Sequence, residues 1–405
     1  MRSERLLYIG GWSLLQGSNH RTKHVASYLA PRFKQVDLVA FQSSYTGMDT
    51  AGESPLHKAQ AGAENLLHDR ISVQGSEGLR EILVRDVPGP SPLHLLGKDL
   101  WRYWALRPAL EEPYDIAIFG DPENALMARQ LKRAGYVRHL IYDDWDYFPG
   151  LEAQPLLQRL YRWRERVCME AADAVISVGS LLGSLRQEQG ARRSYIVPNG
   201  VNLDLFARAR TKPPHPPTLV FMGTLSSLWG VDVAIRAMPA IRARVPDARL
   251  LIAGSGEDEA ALKALSESLG MADSIEFRGQ MAYEDLPGVL AQADIGLATS
   301  QQGSLFRKYA SPLKLIEYMA AGLPVIASRI GQTTVTMEEA GAGILIEHTP
   351  DALAEAAITL LTDPARYQHD AQAAVDYAAR FDWSRLVEQV YDIISDVIEE
   401  TAAVH

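Results

Sequence analysis

The chain has 405 residues, of which 47% are hydrophobic and 22% are charged. This composition is typical of a soluble globular protein of two or three domains, which excludes disorder, collagen and low-complexity repeats as descriptions of the whole chain. Its 50 acidic and 40 basic residues give a net charge of −10, so we expect no nucleic-acid partner. The single cysteine, Cys168, excludes an internal disulfide and a cysteine-cluster metal site.

No stretch of 18 apolar residues occurs in the sequence, so we expect no membrane-spanning helix. The apolar run Leu6–Ile9 near the start is too short for a signal peptide. A single cysteine fits a reducing compartment. The sequence therefore predicts a cytoplasmic protein, with contact to the inner face of a membrane left open.

The first half of the chain predicts a strand–helix–strand opening followed by further strand–helix units. A strand at 6–9, a glycine-bearing loop at 10–19, a helix at 20–29 and a strand at 35–41 come first. Residues 43–95 are rich in Gly, Ser and Pro, which predicts irregular structure with short elements. The later predicted strands are 115–119, 139–142, 174–178 and 194–197, and the helices are 124–134, 156–171 and 181–190.

Four prolines within residues 213–217 predict an extended linker over 211–217, because proline fits neither a helix interior nor a central strand. A second alternation of strands and helices follows this linker. Its predicted strands are 218–222, 249–253, 275–278, 295–298, 324–328 and 343–346, and its helices are 231–244, 259–269, 283–291, 313–321, 350–361, 364–380 and 383–399.

Strands that alternate with helices of 10–15 residues predict parallel sheets covered on both faces. The sequence therefore predicts an α/β protein with two Rossmann-like domains that face a central cleft. In such open sheets, ligands bind at the carboxyl ends of the strands, where glycine loops and helix N-termini favour phosphate groups.

Residues 311–328 form the most informative segment. Ser311 is a suitable N-cap and Pro312 a suitable first helical residue, so the helix should present free N–H groups to an anion. Lys314 adds positive charge, and Glu317, one turn further on, offers a carboxylate that can accept hydrogen bonds from a ribose diol. A capped helix with an ordinary Lys–Glu pair explains the same spacing.

This segment resembles the nucleotide-sugar signature of family 4 glycosyltransferases and their GT-B relatives, with the Ser-Pro-Leu-Lys variant of one subgroup. In the family it reads approximately Pro-Leu-Lys/Glu-x-x-Glu-x-Met-Ala-x-Gly-x-Pro-Val-Ile-Ala. Further segments match the family in the same order, at 197–206, 221–232, 251–256, 275–279, 293–297 and 381–383.

The resemblance implies an acceptor-binding domain over 1–205 and a donor-binding domain over 211–375, with the last helix, about 381–400, packing back on the first domain. It implies a hexosyltransferase that moves a sugar from a UDP- or GDP-type nucleoside diphosphate to an acceptor hydroxyl, in polysaccharide, glycolipid or glycoconjugate biosynthesis. The acceptor would be a sugar, a lipid-linked molecule or a small molecule. No metal and no cofactor are expected, because GT-B enzymes generally hold the diphosphate without a metal. The donor-binding residues expected from it are Glu317, Lys314, Ser311, Leu313, Lys308, Arg307, Gly223, Gly279, Gln280 and Met281.

The chain departs from the family at three positions in the donor domain. Tyr309 stands where the family usually has a glutamate, and Thr224 and Trp229 stand where it has a basic pair. The charge for the diphosphate must therefore come from other residues. The candidates are Lys314, which lies in the matched motif, and then Lys308 and Arg307.

In the first domain, Asp143 and Asp144 follow a predicted strand at the place where many family members have a histidine. A carboxylate there is a candidate general base, in which case the reaction would invert the anomeric centre. Solvated loop acids are the alternative. The loop after the first strand implies an acceptor or phosphate site at Gly10, Gly11, Gly17 and His20, although a plain tight connection also explains its glycines.

Two segments mix aromatic and basic residues, at 98–107 and 161–166. Such a mixture suits a membrane surface or a lipid-linked acceptor, whereas helical spacing of the aromatic residues also fits an ordinary core helix. Two other functions stay open at this point. One is a GT-B UDP-sugar epimerase, and the other is a non-catalytic subunit that binds sugar nucleotides in a polysaccharide assembly complex.

Overall fold

A computed structural model describes residues 3–10, 21–42, 71–76, 78–85, 92–152 and 154–402. The chain divides into two compact units, Met1–Val197 with Val387–His405, and Pro198–Leu386. The sequence placed residues up to 205 in the first domain. The structure instead assigns Leu203–Ala207 to the second unit, where Phe206 packs on Tyr283 with ring centroids 5.4 Å apart.

The described part of the first unit contains an eight-stranded sheet. Its order is β3-β4-β2-β1-β5-β6-β7-β8, and every pair is parallel except β3 with β4. The strands are β1 (Arg5–Ile9), β2 (Gln35–Gln42), β3 (Ile71–Ser76), β4 (Leu79–Arg85), β5 (Tyr114–Gly120), β6 (Val137–Asp144), β7 (Ala174–Ser177) and β8 (Ser194–Ile196).

Helices connect these strands and cover the sheet. They are α1 (Arg21–Leu29), α2 (Pro92–Leu106), α3 (Ala125–Arg133), α4 (Pro155–Ala171) and α5 (Ser180–Glu188). All five residues of β1 are buried, as expected for a strand that is covered on both faces of a parallel sheet. The described chain reverses its strand order between β1 and β5, which places a ligand crevice at the carboxyl ends of these two strands.

The interval 43–95, predicted as irregular with short elements, contains the antiparallel hairpin of β3 and β4 and the start of α2. The sequence did not indicate where these strands lie, because β3 ends in Gly75 and Ser76, which weaken a strand pattern. Gly75 has a φ of 126°, and a Cβ there would lie 2.4 Å from the Leu79 carbonyl oxygen, so the close approach of the two strands requires glycine.

The second unit contains a six-stranded parallel sheet in the order β11-β10-β9-β12-β13-β14. Its strand order reverses between β9 and β12. The strands are β9 (Thr218–Met222), β10 (Arg249–Ala253), β11 (Ile275–Gly279), β12 (Ile295–Ala298), β13 (Val325–Ser328) and β14 (Gly343–Ile346). These two largely parallel sheets confirm the predicted pair of Rossmann-like α/β domains.

The helices of the second unit alternate with its strands, and residues 211–217 form neither helix nor strand. The helices are α6 (Leu203–Ala207), α7 (Val231–Arg244), α8 (Glu259–Ser268), α9 (Leu286–Leu290), α10 (Leu305–Tyr309), α11 (Leu313–Ala320), α12 (Gly331–Ala340), α13 (Pro350–Thr362) and α14 (Pro364–Ala378). Helix α15 (Trp383–Ala402) follows, and its residues from Val387 onward belong to the first unit.

Within the first unit, α15 packs against the segment that follows α1. Tyr391 contacts Phe33 edge to face with ring centroids 6.2 Å apart, and Glu388 accepts a hydrogen bond from Arg32 at 3.0 Å. No helix in the described ranges is long and apolar enough to cross a membrane.

Candidate functional site

Helix α11 carries Lys314 and Glu317 to the carboxyl edge of the second sheet, beside the point where the strand order reverses. The Tyr318 hydroxyl accepts a 2.7 Å hydrogen bond from the Met222 amide at the end of β9. A Cβ at Gly296 on β12 would lie 2.4 Å from the Tyr318 ring, so the glycine lets the helix approach the sheet closely. Tyr318 thus fixes the helix by packing and by one buried hydrogen bond.

The helix begins at Leu313, as the predicted helix 313–321 does, but its capping residue differs from the predicted one. Its first residue is Leu313, and Pro312 is the N-cap residue, with extended backbone and no side-chain cap. The prediction of Ser311 as the N-cap is therefore wrong. Pro312 occupies the capping position and is not the first helical residue. Ser311 and Leu313 still flank the helix N-terminus, and both are half-buried.

The ammonium group of Lys314 is buried and has no hydrogen-bond partner among the described residues. It lies 4.2 Å from the ring centroid of Phe221 and 4.3 Å from that of Trp229. Burial, and secondly the nearby charge of Arg307, lower the pKa of Lys314 to about 7. Gly223 borders this ammonium group, since a Cβ there would lie 3.2 Å from Lys314 Nζ.

Arg307 reaches the same aromatic ring from helix α10, where Ser304 accepts a hydrogen bond from the Arg307 amide at 3.4 Å. Its guanidinium carbon lies 3.1 Å from the ring centroid of Trp229, and the residue is 5% exposed. Lys308, on the opposite side of this short helix, is exposed, and its ammonium lies 5.2 Å from the Tyr309 ring. The structure therefore brings Arg307 and Lys314 together and leaves Lys308 outside the group.

A small cavity of about 20 Å³ lies between these cations and the strand ends, which is room for a single water molecule. The residues around it come from β12, the loop before α7, and the N-terminal ends of α11 and α12. They are Trp229, Ala298, Thr299, Ser300, Arg307, Ala310, Pro312, Lys314, Ile330 and Thr333.

Glu317 is 6% exposed and shares a hydrogen bond with the Tyr283 hydroxyl. Burial, followed by the charge of Glu317, raises the pKa of Tyr283, so the hydroxyl stays protonated and donates. Tyr283 itself packs on Phe206. Glu317 thus bonds to a tyrosine, and it makes no hydrogen bond to the Lys314 ammonium.

The donor-binding residues Gly279, Gln280 and Met281, expected from the resemblance, lie at the end of β11 and just after it. The Gly279 carbonyl accepts a 2.8 Å hydrogen bond from the amide of Gly254, which follows β10, and a Cβ at Gly254 would overlap the Gly223 carbonyl. Three glycines therefore line the carboxyl ends of adjacent strands. Gln280 is exposed and Met281 is half-buried.

Asp143, at the end of β6 in the first unit, is 2% exposed and has two partners. Its carboxylate accepts a 3.0 Å hydrogen bond from Nε of Arg21 and a 2.7 Å bond from the Tyr8 hydroxyl. Burial, and next the Asp143 charge, raise the pKa of Tyr8, so Tyr8 acts as a donor here. The sequence predicted the carboxylate but not the arginine that neutralises it.

Asp144 belongs to a separate buried group. Both of its oxygens accept hydrogen bonds from Arg186, at 2.7 and 3.0 Å, and the same guanidinium binds Glu165 through two bonds of 2.8 Å. Arg186 and Asp144 are at most 1% exposed. One arginine held between two buried carboxylates is typical of a structural ion-pair network.

The predicted loop after β1 is described only at its first residue. Gly10 is buried, and a Cβ there would lie 2.7 Å from Cγ2 of Thr22, so glycine permits β1 to pass close to α1. Gly11, Gly17 and His20 lie outside the described residues. The described ranges contain no group of three or more His, Cys, Asp or Glu side chains arranged to hold a metal ion.

Asp121 is a residue that the sequence reasoning missed. It comes directly after β5, the strand that pairs with β6. Its φ of 71° is rare for a residue other than glycine. Burial, and then the charge of Glu123, raise its pKa to about 7. Its Oδ1 accepts a 2.8 Å bond from the Glu123 amide, and a strand that ends in Gly-Asp-Pro was the available sequence signal.

Two family models match the chain. "Glycosyl transferase 4-like domain" matches residues 16–200, and "Glycosyl transferases group 1" matches residues 216–363, so together they cover most of its length. The second match contains the Lys314 group and the first contains Asp121, Asp143 and Asp144.

Curated relatives are similar over parts of the chain. D-inositol 3-phosphate glycosyltransferase 2 of Catenulispora acidiphila is 32% identical over 257 residues, which is 58% of this chain and 58% of that protein. The GDP-mannose-dependent alpha-(1-6)-phosphatidylinositol monomannoside mannosyltransferase of Mycolicibacterium smegmatis is 32% identical over 181 residues, which is 42% of this chain and 47% of that protein. The chain thus spans about half to three fifths of the length of these relatives.

Solved structures share the fold over nearly the whole chain. The sucrose-phosphate synthase of Thermosynechococcus elongatus has a TM-score of 0.74 at 20% identity and covers 98% of this chain and 100% of its own. Anabaena HepE in complex with UDP has a TM-score of 0.69 at 15% identity, and the match covers 97% of this chain and 100% of the HepE chain.

Proposed function

Because the chain belongs to the family 4-like glycosyltransferases of GT-B fold, we propose that it transfers a sugar from a nucleoside-diphosphate donor to an acceptor hydroxyl. The observation that carries this proposal is the pair of cations, Lys314 and Arg307, on one aromatic ring at the reversal point of the second sheet. The second unit would bind the donor, and the first would bind the acceptor.

The two cations suit a diphosphate for an electrostatic reason. A buried positive charge is costly unless a negative charge faces it, and the Lys314 ammonium has no hydrogen-bond partner within the described chain. A diphosphate offers several anionic oxygens to such groups, and the N-terminus of α11 adds backbone N–H groups and a positive dipole end. The same charges would stabilise the nucleoside diphosphate as it leaves.

Glu317 fits the ribose diol. Its carboxylate is held by Tyr283 one helical turn from Lys314, so it keeps oxygens with lone pairs for two hydroxyl donors. We propose that the glycine-lined strand ends at Gly223 and Gly279, with Gln280 and Met281, receive the rest of the nucleotide, because glycine lets a ligand approach the backbone closely.

We propose that the carboxyl edge of the first sheet supplies a general base for the acceptor hydroxyl. Asp143 is our candidate of the predicted pair, because Asp144 shares Arg186 with a second buried carboxylate, Glu165, in a structural network. Asp121, half-buried and with a pKa of about 7, is the second candidate. In the step, the base takes the hydroxyl proton, the acceptor oxygen bonds to the anomeric carbon, and the nucleoside diphosphate leaves.

The named relatives are transferases, and this does not favour the epimerase or the non-catalytic subunit. The relatives' names and the bound UDP in one fold neighbour support a GDP- or UDP-type donor. We propose no resident metal or cofactor, since the cations and the helix N-terminus can neutralise the diphosphate.

Peripheral membrane contact, with a cytoplasmic location at the inner face, is a further proposal supported by the outer face of α4. Leu156 is 64% exposed and Trp163 is 37% exposed, and three arginines share this face of the helix. They are Arg159, Arg162 and Arg166. Part of the predicted basic segments is internal, because Arg164 forms a buried 2.6 Å ion pair with Asp99.

Removing either donor-site charge should weaken nucleotide binding. We expect Lys314→Met and Glu317→Ala each to lower the affinity for UDP or GDP, whichever the native protein binds, by about 10- to 150-fold, because each loses hydrogen bonds to a charged group. Calorimetric titration measures this. Lys263→Met, on the exposed face of α8, is the matched control, and unchanged affinity in both site variants would sink the assignment.

Binding of the nucleoside diphosphate should take up a proton at pH 8. The free Lys314 has a pKa of about 7 and is mostly neutral there, and a bound anion favours its charged form. Affinity should therefore be constant just below pH 7 and fall by up to about tenfold per unit above it. Titrations at pH 8 in buffers of different ionisation enthalpy count the protons. Lys314→Arg should bind without uptake, and uptake that persists in this variant would contradict the prediction.

Neutralising the proposed base should slow turnover without weakening the binding of the donor nucleotide. We expect Asp143→Asn to lower kcat by about 100-fold, because it removes the proton acceptor, and to leave the affinity for the nucleoside diphosphate unchanged. Steady-state assays with the donor found by screening measure both. A loss confined to Asp121→Asn would move the assignment to β5, and full activity in both variants would exclude a base at this edge.

The α4 face should bind anionic lipid vesicles. We expect sedimentation with vesicles that contain phosphatidylglycerol and not with pure phosphatidylcholine, and release at high salt, because three arginines provide the attraction. The variant R159E/R162E/R166E should stay in solution. Equal binding to both vesicle types, or none, would refute the proposal.

A further inference from the structure

Trp229 contacts both cations of the donor site. The Arg307 guanidinium carbon lies 3.1 Å from its ring centroid, and the Lys314 ammonium lies 4.3 Å from it. Phe221 at the end of β9 flanks only the Lys314 side. The family resemblance implies a basic residue at position 229, where this chain has an aromatic side chain.

The main chain fixes the position of this indole. The Trp229 carbonyl accepts a 2.9 Å hydrogen bond from the Thr299 hydroxyl just after β12, and its amide donates to the Ser226 carbonyl at 3.0 Å. The next residue, Gly230, has a φ of 64° and packs on His348, which a Cβ would meet at 2.3 Å. The ring is therefore set by backbone contacts at the reversal point of the sheet.

An aromatic ring can hold two cations without neutralising them. A carboxylate in the same place would attract both more strongly, but it would repel a diphosphate. The negative face of an indole attracts guanidinium and ammonium groups and leaves their net charge intact. Burial, and secondly repulsion between the two cations, lower the pKa of Lys314, and both disfavour this arrangement in the free protein.

We propose that Trp229 is a positioning residue that holds Arg307 and Lys314 on one ring for the diphosphate. The inference rests on the proposed function of the same site. It makes the β-phosphate the group whose recognition depends on position 229, because a monophosphate can engage only part of the cation pair.

The test compares nucleoside diphosphate with nucleoside monophosphate affinity in Trp229→Leu and Trp229→Phe. UDP with UMP, and GDP with GMP, are the probes, in calorimetric titrations of the full chain. We expect Trp229→Leu to lower the diphosphate-to-monophosphate affinity ratio by about tenfold, and Trp229→Phe to stay within about threefold of the native ratio because its ring also attracts cations.

The ratio remains informative if Trp229→Leu folds poorly, because the fraction of active protein affects both affinities equally. A native ratio in Trp229→Leu, or equal losses in the Leu and Phe variants, would overturn the role of the ring. If the native protein binds neither UDP nor GDP, the proposed function fails instead, so the two failures are distinct. Trp104→Leu, an exposed tryptophan of α2, is the control and should leave the ratio unchanged.

Discussion

The site of the second unit depends on one constraint, which is that buried positive charge needs a negative partner. Lys314 and Arg307 come from different helices and meet on Trp229, and the described residues give the Lys314 ammonium no hydrogen bond. Desolvation penalises this arrangement in the free protein. An anionic ligand would remove that penalty, so the free energy lost in building the site is available for binding.

The sheet edge supplies the geometry that the cations need. Glycine at 223 leaves room for the Lys314 ammonium, and glycine at 296 lets the Tyr318 ring lie against β12. The Tyr318 hydroxyl then binds the last amide of β9, which fixes the helix that carries Lys314 and Glu317. Small residues and one buried hydrogen bond thus connect the strand order of the sheet to the position of the charges.

The sequence predicted much of the fold, because strand and helix periodicities are local and alternate clearly over residues 115–400. It gave residues 43–95 only as irregular with short elements and did not locate the hairpin of β3 and β4, where Gly75 and Ser76 interrupt the pattern. It also placed the N-cap of α11 one residue early. In the site, the motif at 311–328 indicated Lys314 and Glu317 directly. The stacking of Arg307 on Trp229 was not predictable, since it joins residues 78 positions apart whose contact depends on the path of two loops.

The partners of the acids in the first sheet could not be predicted for the same reason, because they come from distant parts of the chain. The strand-end position of Asp143 and Asp144 was apparent from the sequence, but their partners Arg21 and Arg186 lie on helices whose inward faces only the packed structure reveals. Asp121 escaped notice because a positive φ leaves little trace in a single sequence. Residue type and spacing therefore indicated where charges gather, and tertiary contacts decided which charges are already paired.

The most direct measurement is a thermal-shift series in which only the number of phosphates varies. The native chain is heated with a nucleoside, its monophosphate, its diphosphate or its diphosphate sugar. The series is run once with uridine compounds and once with guanosine compounds. Binding to the folded state raises the melting temperature by mass action. We expect the melting temperature to rise clearly with the nucleoside diphosphate and the nucleoside-diphosphate sugar of one base, and to change little with the nucleoside alone. Equal shifts for nucleoside and diphosphate, or none with either base, would contradict a diphosphate site at Lys314 and Arg307.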